Sequence, residues 1–91
     1  MFKYTAANLK KVETLLNEAG YLLRYEKGNF IAGYCILETR KVIVINKYFD
    51  IDARTNSLLE IISRLPIDEN NLSESSREFM HQYNIIALNP V

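Results

Sequence analysis

Residues 21–46 read YLLRYEKGNFIAGYCILETRKVIVIN, and the folding of this stretch decides the architecture. Tyr21, Tyr25, Phe30, Ile31, Tyr34, Ile36 and the run at 42–45 fit a pleated, half-buried surface by side-chain shape. Gly28-Asn29 suits a tight hairpin turn between the first two runs, and Thr39-Arg40-Lys41 turns the chain again before VIVI. Runs joined so closely cannot be parallel neighbours, so the stretch predicts a three-stranded antiparallel meander. Gly33, inside the second run, marks a bulge or a close backbone approach.

Helical periodicity takes over on both sides. Thr5 is suited to cap a first helix over about 6–19, in which Leu9, Val12, Leu15, Leu16 and Ala19 share a face. Gly20 offers the left-handed conformation that ends helices. After the strands, Asp50 or Asp52 can cap a second helix, which Leu65-Pro66 closes. On a 100° wheel Leu58, Ile61, Ile62 and Leu65 form its core face, while Asn56, Glu60 and Ser63 lie opposite and Leu59 sits at the border. Glu60 and Arg64 stand one turn apart. A polar connection, PIDENNLSESS, leads to a third helix from near Ser73. Its inner face carries Leu72, Ser76, Phe79, Met80 and Tyr83, with His81 outside. The tail NIIALNPV is apolar enough to add a short final strand or to lie across the core. The expected fold class is α+β: an N-terminal helix, a three-stranded antiparallel meander and two C-terminal helices, in one domain spanning 1–91.

Composition narrows the function classes. The chain is 48% apolar and 24% charged, as in ordinary globular proteins, and its 11 basic residues balance 11 acidic ones. No global field therefore recruits nucleic acid or an anionic membrane. Residues 21–48 carry a local +3 and residues 66–91 a local −3, which reads as solvated faces or as complementarity within one chain or between two copies. Cys35 is the sole cysteine, so an intrachain disulfide is excluded and a reducing compartment fits. MFKYTAANLKKVETLL reads as an amphipathic helix and not as a leader, and apolar runs such as VIVI fall far short of a membrane span. The expectation is a cytoplasmic protein with no membrane partner.

Searches for chemistry end mostly in structural roles. Cys35 and His81 lack a recognisable orienting group and oxyanion hole, so they read as a small core residue and a surface histidine. Gly28 and Gly33 do not form a phosphate loop. Asp50 and Asp52 are explained by capping, and Asp68-Glu69-Asn70-Asn71 lacks the glycine and spacing of a calcium loop. Arg24, Arg40 and Lys41, beside Phe30 and Tyr34, are the nucleic-acid candidates. The core, however, needs one aromatic sheet face, and the strand order differs from that of common RNA-binding sheets. No metal or cofactor is expected.

The order helix, three strands, helix, helix, with GYCILETRKVIVINKYFD leading into TNSLLEIISRL, resembles the minimal scaffold of zincin-like metallopeptidases of the ImmA/IrrE type. In that family the helix carries H-E-x-x-H, two zinc-binding histidines around a water-activating glutamate. In phase, Glu60 takes the glutamate place while Leu59 and Ser63 take the histidine places. The resemblance, over residues 5–65, implies the fold and a groove floored by Asn56, Leu59, Glu60 and Ser63. It does not imply an active zinc metallopeptidase, because leucine cannot ligate zinc, serine is a poor ligand, and the chain has one histidine. The chain also resembles small bacterial domains without an assigned activity, which adds no site.

The expected function is that of a non-enzymatic protein-interaction or structural domain, whose partner is another protein or a second copy. The six tyrosines and four phenylalanines point to an aromatic-rich sheet, and aromatic area that three helices leave uncovered marks an interface. The alternative is a small-ligand or peptide binder, or an enzyme, using the Glu60 groove. That reading requires Glu60 to be partly buried and unsatisfied by Arg64. Weak nucleic-acid binding through the basic strands comes third.

Overall fold

The Thr5 hydroxyl accepts the amide of Asn8 and starts helix α1 (Ala6–Glu18) in a computed structural model that describes residues 2–27, 32–37 and 40–88, with only the backbone of 32–37 and 40 described. Strands β1 (Tyr21–Glu26), β2 (Ala32–Leu37) and β3 (Arg40–Asn46) follow, then α2 (Ile51–Ile62), a 3-10 turn at Glu69–Asn71, and α3 (Glu74–Gln82). Asp50 caps α2 by accepting the amide of Ala53, and Ser73 caps α3 by accepting that of Ser76.

The sheet is α+β in its setting but is not the antiparallel meander that the sequence predicts. Its strand order is β1-β3-β2. β1 runs parallel to β3, with Tyr21 opposite Lys41 and Glu26 opposite Asn46. Only β2 is antiparallel to β3, with Ala32 opposite Ile45 and Leu37 opposite Arg40. β1 and β2 flank the third strand and do not pair with each other. The reason lies in VIVI. An uninterrupted apolar run cannot present one polar face, so it belongs in the middle of a sheet. Val42, Ile43 and Ile45 are 1%, 0% and 0% exposed. With β3 central, β2 supplies the return path between two parallel strands, and residues 27–39 meet the dozen-residue requirement for a parallel crossover. Gly28-Asn29 lies outside the described residues, but it does not join two paired strands. The final strand is also absent among the described residues: Leu88 forms one isolated bridge with Pro66.

The helices gather on one sheet face. Leu9, Val12, Leu15 and Leu16 of α1, Leu58 and Ile62 of α2, and Phe79 and Met80 of α3 form one cluster with Ile43 and Ile45. Each such burial contributes about 1.5–3 kcal/mol. Val42 points the other way and is not part of that cluster. Dimensions of 35 × 33 × 17 Å match one helical layer on one sheet.

Two polar ties fix the layers. Arg54 donates from Nε to the Phe49 carbonyl and from a terminal nitrogen to that of Lys47, both at 2.8 Å, while its guanidinium lies 4.7 Å from the Tyr25 ring centre. Tyr25 in turn donates its hydroxyl to Glu13 of α1. Tyr83 caps the end of α3, and the next residue, Asn84, has a left-handed φ of 52°. The Ile85 amide then reaches back to the Met80 carbonyl (2.9 Å) and the Asn84 amide to that of His81 (3.4 Å), a Schellman ending. That turn sends residues 86–88 alongside 65–67, held by Ile67 N–H to the Leu88 carbonyl (3.1 Å) and Leu88 N–H to the Leu65 carbonyl (2.9 Å).

Candidate functional site

Three segments meet beside the outer border of α2. The first is the segment before α1, where Phe2 and Tyr4 stand two residues apart and the Thr5 amide turns back to the Lys3 carbonyl at 3.1 Å. The Tyr4 hydroxyl donates to Asn56 Oδ1 at 2.6 Å, which ties this segment to α2. The Phe2 ring leans on Tyr4 (5.6 Å between centres), Tyr83 (5.1 Å) and Phe79 (5.9 Å), the last two in edge-to-face contact. The second segment is the end of α3, which contributes Tyr83. The third is the stretch after the Asn84 turn.

Together they leave a cleft of about 290 Å³ walled by Phe2, Leu59, Tyr83, Ile85 and Ile86, with Ser63 and Asn84 at its polar edge. Leu59 and Ile85 also pack against the core, so this wall is anchored. Ile86 is 76% exposed. Among the described residues, no carboxylate, imidazole or amine side chain lines the cleft. The described wall suits an apolar side chain. Two roomier hollows are more polar. One, about 370 Å³, runs between α1 and α3 past Lys10, Lys11 and Glu78, and the other, about 320 Å³, lies beside His81 and Glu69.

The residues singled out from the sequence separate here. Leu59 and Ser63, at the places where the zincin resemblance puts ligands, both line the cleft. Ser63 donates its hydroxyl to the Glu60 carbonyl at 2.6 Å, closing the last turn of α2. Asn56 is engaged by Tyr4 at the side. Glu60 points to solvent, 67% exposed, and is paired with Arg64 at 2.9 Å. The condition for a chemically poised Glu60 is therefore not met.

The basic candidates do not form a stripe. Arg24 is ion-paired with Glu26 at 3.0 Å, and the Lys41 ammonium lies 5.5 Å from the Tyr21 ring centre. Strand alternation places Arg24 and Lys41 on opposite sheet faces, since Lys41 is in register with Tyr21. The side chains of Arg40 and Cys35 lie outside the described residues. His81 is exposed and sits 2.7 Å from Glu69. Among the described residues, no three His, Cys, Asp or Glu side chains converge as a metal set. No helix among them is long and apolar enough to cross a membrane.

Sequence reasoning missed Phe2, Tyr4, Ile85 and Ile86 as site residues. The two aromatics just before the Thr5 cap were the available signal for a segment laid on the core. Comparisons with known proteins give no matching family model, curated protein or solved structure.

Proposed function

We propose that this chain is a protein-interaction domain that takes an apolar anchor side chain of a partner protein into the cleft between α2 and residues 83–86. One observation carries the reading: a strongly exposed Ile86 stands over a wall of Phe2, Leu59 and Tyr83 that is already fixed by ring contacts and the Schellman turn. Protein interfaces favour aromatic and aliphatic anchors in such pockets. A wall that is ordered before binding also costs less to immobilise. From the zincin resemblance this reading keeps the groove beside α2 and not the reaction.

The test is selection of displayed peptides against the folded chain, followed by titration of the winners. Selected peptides are expected to share a bulky apolar residue and to bind Ile86→Asp at least tenfold more weakly, with amide shifts confined to Leu59, Tyr83 and Ile85. Because Ile86 is exposed, this variant retains the fold. Failure to enrich any peptide, or binding indifferent to Ile86→Asp, overturns the reading.

A further inference from the structure

We infer that the outer edge of β1 pairs antiparallel with β1 of a second copy, in the register that sets Arg24 opposite the partner's Glu26 and Tyr25 opposite the partner's Tyr25. This surface is separate from the cleft and does not depend on it.

β1 is the outermost strand of the β1-β3-β2 sheet, and no described strand pairs with its other side. The backbone direction on that side follows from one hydrogen bond. Lys47 N–H donates to the Glu26 carbonyl at 2.9 Å, so Glu26 turns its backbone groups toward β3. By alternation Arg24 and Leu22 do the same, and Leu23 and Tyr25 direct their amide and carbonyl groups outward. Edges of this kind are templates for another strand unless they are blunted by proline, a bulge or inward-pointing charge. Residues 21–26 contain no proline and no glycine.

Hydrogen-bond parity and charge then select the register. Only outward-facing residues can exchange bonds, so odd positions must pair with odd positions across a two-fold axis. A pairing centred on Arg24 brings two guanidinium groups together, and one centred on Leu23 sets Arg24 against Leu22. Centring on Tyr25 sets Arg24 against Glu26 twice, in the non-hydrogen-bonded pairs where side chains approach most closely. Arg24 and Glu26 are half-exposed at 52% and 46%, and among the described residues their ion pairing is with each other, at 3.0 Å. Exchanging it for two cross-strand pairs keeps every charge satisfied and builds a continuous six-stranded sheet. Leu22, on the same face and 43% exposed, flanks the junction.

A strand pair of this length is below the size of standard stable interfaces, so association belongs to the weak range and is read near about 1 mM protein. Sedimentation equilibrium up to that concentration is expected to show a dimer. Arg24→Glu and Glu26→Arg should each weaken it at least tenfold, and the double reversal Arg24→Glu/Glu26→Arg should restore it. Hydrogen exchange should show Leu23 and Tyr25 amides gaining protection with concentration. A strict monomer throughout, single reversals that dimerise like the original chain, or a double reversal as weak as the singles overturns the inference.

Discussion

Glu18, the last residue of α1, accepts hydrogen bonds at one carboxylate oxygen from both the amide (3.1 Å) and the hydroxyl (3.2 Å) of Ser73, the residue that caps α3 55 positions later. The start of α3 carries unpaired amides and partial positive charge, which suits it to an anion. Here the chain supplies that anion itself. The same contact ties the start of α3 to the end of α1.

Glu18 makes stability depend on acid pH. Hydrogen bonds from the Ser76 side chain first, then from the Ser73 amide, hold its carboxyl below the usual value of 4.5. A lowered native pKa contributes stability that is present above 4.5 and is lost as pH falls through the native value. Urea unfolding should find Glu18→Gln less stable than the original chain at pH 7, with the two converging in acid. A gap that persists at the acid end would assign the effect to packing and not to the carboxylate.

Backbone turns should respond to substitution by residue type. Gly20 has φ +94° and open space where a Cβ would stand, so Gly20→Ala meets only the backbone cost of about 1 kcal/mol. Asn84 sits at φ 52°, where a β-branched residue is strongly disfavoured. Asn84→Gly should be tolerated, whereas Asn84→Val should lose about 1–2 kcal/mol and release Ile85 and Ile86 from the cleft wall. Denaturant midpoints give the first effect, and amide shifts at Leu59 and Tyr83 the second.

Local chemistry made the helices legible and long-range pairing made the sheet illegible. Thr5, Asp50 and Ser73 cap their helices through contacts three residues away, so each start is written in its own neighbourhood. The order of three strands depends instead on which one can be buried on both faces, a comparison among all three. VIVI carries that answer, whereas Gly28-Asn29 carries only the local signal of a turn and says nothing of which strands pair. The site was half legible for a similar reason. Leu59 and Ser63 follow from the wheel of α2, while Phe2 and Ile86 arrive from the two ends of the chain. Asn84 is a residue type that takes the left-handed turn after a helix, but that the turn lays Ile85 on the core depends on packing against distant elements.

Glu60 should prove dispensable. Its exposed pairing with Arg64 is of the kind worth about 0.2–0.5 kcal/mol. Glu60→Gln should change the unfolding free energy by no more than that and leave binding at the cleft intact. A tenfold change in peptide affinity would restore Glu60 as a site residue.

Arg54 should matter far more, although it too is a single charged residue on α2. It satisfies the carbonyls of Phe49 and Lys47 and covers the Tyr25 ring, joining the turn after β3 to the sheet. Lysine cannot reach two carbonyls with a planar fork, so Arg54→Lys should lose most of what Arg54→Ala loses, about 1–2 kcal/mol. Equal stability of the lysine variant and the original chain in urea would reduce the residue to its charge.

Tyr25 governs the alkaline limb. Burial above all, then its hydrogen bond to Glu13 and the charge of that carboxylate, push the phenol well above its ordinary value of 10. A raised native pKa contributes stability that is fully present below pH 10 and is lost as pH rises toward the native value, because the unfolded phenol ionises first. At pH 7, Tyr25→Phe should cost about 1 kcal/mol through the lost hydrogen bond. Between pH 10 and 11 its stability should decline less steeply than that of the original chain, so the two curves approach each other. Parallel curves across that interval would show that Tyr25 is not the group whose ionisation weakens the fold.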